Sequence, residues 1–267
     1  MRNVSSLPAN DQPGIDRLRK ALYHCGMPAC RNCQTPLDGE YCSKCGQRNL
    51  DLEKPIWSLI GTVISETFEV DGRAARTVRT MFRHPGMLTA EYLAGRRATY
   101  SPPLRLYLVF SISFFLLVSW LASSGILLEP GQDPVFDAAV QARFLSDELP
   151  TLMIVLLPLF ALLMKIVYWK RLYFDHVIFS VHLHCASYVV LAGVLPLEVL
   201  ASQYAALLIV QVVLFVYYCG YVAFAMRRVY ESGWLGVTLR TVLVLFAYMI
   251  IVSMAVESTS QFAIISD

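Results

Sequence analysis

Residues Leu106–Leu127 read LYLVFSISFFLLVSWLASSGIL, twenty-two residues without one charged side chain. As a helix this stretch is about 33 Å long, enough to cross the roughly 30 Å hydrocarbon core of a bilayer. Four further stretches repeat the pattern: Leu152–Trp169, His176–Leu195, Ala201–Met226 and Leu235–Val256. Hydrocarbon offers backbone groups no partner, so spanning segments of this kind close their hydrogen bonds internally, as helices. The expected fold is an all-α integral membrane protein with about five transmembrane helices. The membrane domain takes residues 104–258 and a C-terminal tail 259–267. The third stretch is the least apolar, because it holds His182, His184 and Cys185.

Composition agrees. Of 267 residues 56% are hydrophobic and only 16% charged, against about a quarter charged in a soluble domain. The apolar excess begins after Pro102-Pro103, and the chain before it is polar and rich in Arg. Residues Met1–Leu50 contain no continuous apolar run of the secretory-leader kind, so the first span is expected to act as its own insertion signal. Lys and Arg set the orientation. Fifteen of the twenty-two precede the first span, and Lys165, Lys170, Arg171, Arg227, Arg228 and Arg240 flank the loops after spans two and four. The opposite side holds only Arg143, beside Glu129, Asp133, Asp137, Asp147 and Glu148. A split of 21 to 1 places the N-terminus in the cytosol and the C-terminus outside. A net charge of +2 gives a nucleic-acid partner no support.

Upstream, Cys30-x2-Cys33 and Cys42-x2-Cys45 form two CxxC knuckles within residues 28–48, after a flexible N-terminal segment 1–27. Each knuckle turns two thiolates to one side, and two facing knuckles complete a tetrahedral four-sulfur site. The expectation is a zinc-ribbon-like module holding one structural zinc ion. Gly39 and Gly46 are expected to supply the backbone freedom of the turns. Some twenty residues bury little core, so metal binding would supply most of the folding free energy. Reducing cytosol argues against two disulfides, and a redox dithiol needs no second copy. With four protein thiolates the ion keeps no open position for catalysis. His24 and Cys25 read as spectators.

Residues 55–100 read as basic amphipathic juxtamembrane helices. Trp57, Ile60, Ile64 and Phe68 form one apolar face, and Leu88, Tyr92 and Leu93 a shorter one. Arg73, Arg76, Arg79 and Arg83 make a basic stripe, broken by Pro85-Gly86, and Gly95 ends the next helix. Two placements suit such helices: in the layer of anionic headgroups, or packed on the loops of their own membrane domain.

The motifs Cys30-Arg-Asn-Cys33, Gly39-Glu-Tyr-Cys42-Ser-Lys-Cys45-Gly46-Gln47, Arg76-Thr77, His84-Pro85-Gly86, Glu91-Tyr-Leu-Ala-Gly95-Arg96-Arg97 and Tyr100-Ser-Pro102 occur in that order. Over about residues 30 to 105 the chain resembles the bacterial membrane-protein family catalogued as domain of unknown function 3667. Its pattern is a CxxC…YCxxCGQ pair, a Pro-Gly turn and a Tyr-Leu-x-Gly-basic-Arg segment leading into membrane spans. The resemblance implies a multi-pass protein of the bacterial inner membrane and carries over no catalytic residue. The segment Tyr173-x-Asp175-His176-x-x-Phe179-x-x-His182-x-His184 is similar to an acidic-His-x-x-Phe-x-x-His stretch of the same family.

Inside the spans the candidate polar site is Asp175, His176, His182, His184 and Arg240. Asp175 and His182 share a helix face, His176 and His184 lie on a neighbouring one, and His182 and His184 point roughly opposite ways. Ionisable groups in a span usually face an interior or a watery path. A proton relay and hydrogen-bonded structural histidines both fit, whereas metal or haem ligation lacks the i,i+4 spacing. Arg240 needs a buried partner or reaches the headgroups. No GxSxG, HExxH, P-loop or Rossmann pattern occurs, so no catalytic and no organic-cofactor residue is assigned. Three functions follow: an adaptor whose zinc module and basic helices engage a cytosolic protein or anionic lipid; a small transporter or channel using Asp175, His182 and Arg240, built as a homo-oligomer; and a lipid-acting enzyme with a histidine base.

Overall fold

The computed structural model describes residues 29–49, 73–123, 148–201, 204, 206–231 and 233–265. The N-terminal segment 1–27 with His24 and Cys25, the apolar face from Trp57 to Phe68, and the acidic loop up to Asp147 lie outside the described residues. The described residues form seven α-helices: α1 (Arg73–Arg83), α2 (Met87–Leu93), α3 (Pro103–Ser123), α4 (Leu149–Val167), α5 (Tyr173–Ala201), α6 (Ala206–Tyr230) and α7 (Trp234–Ile265). Helices α3 to α7 are each long and apolar enough to cross a membrane. The last runs on through most of the residues read as a tail.

The most polar span is the central one. Helix α5 packs against α3, α4 and α6, and α1 and α2 reach it from one end. Of its spanning window 56% is buried within the protein, against 11% for α6 and α7. That position explains its composition. A helix screened from lipid by its neighbours can hold His176, Ser180, His182 and His184 without presenting them to hydrocarbon. Its apolar residues complete two cores. Phe179 and Leu183 join Phe160, Met164, Val222, Met226, Val237 and Val244. Val181, Cys185 and Tyr188 join Leu106, Phe114, Val118, Met81 and Leu88. Helices α6 and α7 turn broad apolar faces outward, among them Ile209, Val212, Phe215, Phe246 and Met254, as lipid-facing surfaces do.

Helices α1 and α2 close one end of this bundle. Pro85-Gly86 separates them, with Gly86 at φ 75°. A Cβ there would stand 2.7 Å from the carbonyl oxygen of Ala225, so this turn rests on the backbone of α6. Arg228 of α6 donates to the Pro85 carbonyl across the same contact (2.7 Å). Helix α2 ends in a Schellman motif: Gly95 N–H bonds to Tyr92 C=O, and Arg96 N–H to Glu91 C=O, with Gly95 at φ 81°. The Arg96 guanidinium returns to the Glu91 carboxylate through two bonds of 2.5 and 2.6 Å. Helix α2 packs on α5 and α6 of its own membrane domain. Arg76, Arg79 and Arg83 of α1 remain exposed. The loop 168–172 lies at this same end, where Arg171 bonds to the Val229 carbonyl (3.3 Å).

Candidate metal centre and its contact with the bundle

The two knuckles are copies of one another, twelve residues apart. Ala29 pairs with Pro36 and Tyr41 with Arg48 in single antiparallel bridges. Within each, Cys30 N–H bonds to Thr35 C=O and Cys42 N–H to Gln47 C=O, while Gln34 N–H and Gly46 N–H return to Cys30 C=O and Cys42 C=O. The residue after each second cysteine takes a left-handed conformation, Gln34 at φ 61° and Gly46 at φ 69°. The expectation for Gly39 is therefore corrected. The first turn draws its freedom from Gln34, and Gly39 lies in the connection, where no positive φ is needed.

The repetition brings four sulfurs together. Cys30 and Cys45 stand 3.6 Å apart, Cys33 and Cys42 3.5 Å, and all four lie within 4.8 Å of one another. None is disulfide-bonded. A tetrahedral ion with metal–sulfur bonds of about 2.3 Å sets its ligands about 3.8 Å apart, so the donor set fits a metal ion of that kind. The Thr35 hydroxyl, 3.3 Å from the Cys33 sulfur, pulls that thiol down to about 6. Burial pushes Cys45 up to about 12 against the opposing amide of Gln47. One thiolate forms readily and the next is resisted, a resistance that a cation at the centre removes. Among the described residues around the sulfurs, only Leu37 adds a buried apolar side chain.

Gln47 joins this module to the bundle. Its Nε2 donates to the Gly95 carbonyl (2.6 Å), and its Oε1 accepts from Arg97 N–H (2.9 Å) and Ala98 N–H (3.1 Å). The Schellman turn leaves those two amides pointing outward, and one side-chain amide satisfies them both. Thr99 adds a bond to Asn32 (3.3 Å), and the Arg31 stem covers Gly95. On its other side the same segment is held by α1, through Arg73 to Ala98 C=O (3.0 Å) and Ser101 N–H to the buried Thr77 hydroxyl (3.0 Å). Two motifs separated by nearly fifty residues, Cys45-Gly-Gln47 and Gly95-Arg-Arg97, thus form one contact.

The polar groups of the spans do not meet in one place. His182 Nδ1 lies 3.0 Å from the Thr89 hydroxyl of α2. His176 Nδ1 lies 2.7 Å from the Tyr230 hydroxyl of α6, with the two rings stacked. His184 Nε2 lies 3.0 Å from Tyr248 of α7, and its Nδ1 2.8 Å from the Ser180 carbonyl. The expected divergence of His182 from His184 is observed, and each histidine bonds a different helix. Asp175 occupies the first turn of α5, in the field of Arg171 and Lys165, where a carboxylate also favours the helix dipole. Arg240 is exposed, with its guanidinium 5.0 Å above the Tyr168 ring. Sequence reasoning gave no role to Gln47, Thr89, Tyr230 or Tyr248. Gln47 stood in a quoted motif, whereas no spacing rule links Thr89 to a histidine 93 residues away.

No curated protein and no solved structure matches the chain. The matched segment runs from the basic stripe through both turns into α3 and leaves the cysteine knuckles outside it. Over residues 71–115 the chain is similar to the family described as Protein of unknown function (DUF3667).

Proposed function

We propose that this protein is a membrane-anchored adaptor of the bacterial inner membrane, with its N-terminus and zinc module in the cytosol and its C-terminus outside. The observation that carries the reading is the Gln47 contact. A module hung on a free linker would sample many orientations, whereas this one is fastened to the 95–99 segment and so holds its outer face in a fixed attitude. That face carries Asp38, Glu40, Tyr41 and Lys44, and the exposed Arg76, Arg79 and Arg83 lie on α1, offering a cytosolic protein or anionic lipid both charge and an aromatic group. The ion we assign is one structural zinc, because four thiolates suit that borderline-soft cation and close its coordination.

A transporter or channel built on Asp175, His182 and Arg240 needs those groups along one path, and their separate contacts count against it. A lipid-acting enzyme needs an accessible base, and all three histidines are buried. Affinity purification of the full chain from its own membranes, against a chain lacking residues 1–54, tests the proposal. The truncated chain is expected to insert normally and to lose the co-purifying partner and the cell phenotype. Unchanged capture and phenotype would sink the adaptor reading, and pH- or ion-dependent flux in vesicles would revive the transporter.

A further inference from the structure

The end of α6 borders a cleft outside the face that the adaptor reading uses. Phe224, Arg227, Arg228 and Glu231 line about 450 Å³ there, within the size range of small-molecule sites. Arg228 is spent on the Pro85 carbonyl (2.7 Å). Arg227 is not spent in that way. Its guanidinium lies 4.0 Å above the Trp234 ring, which Phe224 meets edge-on at 5.2 Å. Stacking covers the face of a guanidinium and leaves its edge donors available. Glu231 is the second unusual group. Its N–H closes the helix on the Arg227 carbonyl (3.0 Å), with φ at 50°, a conformation that favours glycine. Among the described residues its carboxylate makes no ion pair and no side-chain hydrogen bond, although Arg227 stands one turn back. A charged side chain thus occupies a strained helix end without serving the fold there.

The surroundings identify the class of occupant. Phe224 is 54% exposed, and Leu235, directly after Trp234, is 88% exposed. Both belong to the outward apolar faces of α6 and α7, so the cleft lies where a hydrocarbon-facing surface meets the charged end of the bundle, the level that a Trp ring favours. It offers an apolar flank, a guanidinium edge and a carboxylate. A glycerol phosphate headgroup would bring its negative charge against Glu231. A choline headgroup would bring a cation with no hydrogen to donate. A phosphate joined through two carbons to a primary ammonium suits all three features, with the phosphate on Arg227, the ammonium on Glu231 and the acyl chains along the flank.

We propose that the cleft bounded by Phe224, Arg227 and Glu231 binds the headgroup of a phospholipid carrying a primary amine, of the phosphatidylethanolamine class. The test uses the full chain in phosphatidylcholine nanodiscs doped with equal parts of phosphatidylethanolamine and phosphatidylglycerol, and counts the retained lipids by native mass spectrometry. The wild-type chain is expected to keep one phosphatidylethanolamine, on the order of tenfold above either competitor, as one charge-assisted hydrogen bond allows. Glu231→Gln keeps the size of the side chain and is expected to erase that preference. Glu231→Asp keeps the carboxylate and should restore most of it. Arg227→Gln is expected to lower retention of all three lipids, since each carries the phosphate. Equal retention of the three lipids by the wild-type chain would overturn the assignment, as would a preference that survives Glu231→Gln or one that Glu231→Asp fails to restore. Displacement of the lipid from the wild-type chain by excess soluble phosphoethanolamine would also overturn it, by showing a site for the free zwitterion.

Discussion

The cysteine module and the helix bundle sit in contact yet are held together by different physics. Residues 29–49 bury Cys30, Leu37 and Cys42 and little else. Their order comes from two copied turns converging on a four-sulfur cage. Helix α5, by contrast, is ordered by neighbours on several sides, with Phe179, Ser180, Cys185 and Tyr188 fully enclosed. The module buries little apolar area, so a metal ion on the four sulfurs would supply most of its folding free energy. The bundle has packing to spare, and so can bury histidines, provided each finds a partner. Proximity does not make two regions share a source of stability, and each should fail under a different insult.

The largest effect expected is therefore local. Cys42→Ser removes one sulfur from the cage and withdraws metal-linked stability on the order of 10 kcal/mol. Limited proteolysis should then cut within residues 29–49 while α3 to α7 stay intact. Cleavage spreading through the spans would break the comparison. Next comes Gly86→Ala, which drives a Cβ to 2.7 Å from the Ala225 carbonyl and 2.9 Å from its Cα, with φ at 75°. Backbone cannot yield as a side chain can, so a loss of about 3 kcal/mol is expected in thermal unfolding of the bundle. Gly95→Ala is the milder counterpart. Its φ of 81° is equally unfavourable, but the new Cβ meets the Arg31 side chain, which can swing away. About 1 kcal/mol is expected, felt in the docking of the module. Of similar size is Thr89→Val, which removes the hydroxyl partner of His182. A loss of about 1 kcal/mol, restored by Thr89→Ser, would fit a structural hydrogen bond. No change in either would leave that histidine without its assigned role.

These differences also mark what the sequence disclosed. The five spans were legible because hydrocarbon selects composition by length, and each of α3 to α7 covers most of a stretch visible in the residue order. The cage was legible because CxxC spacing reports a local turn. Gly46, Gly86 and Gly95 were recognisable as punctuation, but not what two of them touch, since Ala225 and Arg31 reach them through tertiary packing. For the same reason the polar residues of α5 read as one candidate cluster. Helical spacing gives the direction of a side chain and not the element that receives it, and three directions led to Thr89, Tyr230 and Tyr248. Gln47 was hidden more thoroughly. Its partners are backbone groups, which leave no mark in residue identity.

Hydrogen exchange on the full chain, with and without a chelator, bears most directly on the account of a metal-held module locked to a packed bundle. The amides of Cys30, Gln34, Cys42 and Gly46 close the knuckles, and those of Arg97 and Ala98 are held by Gln47. Stripping the metal should release both sets together and leave the α5 amides from His182 to Tyr188 protected. Knuckle protection unchanged after the metal is removed would contradict the account, as would loss of protection along α5 at the same chelator concentration.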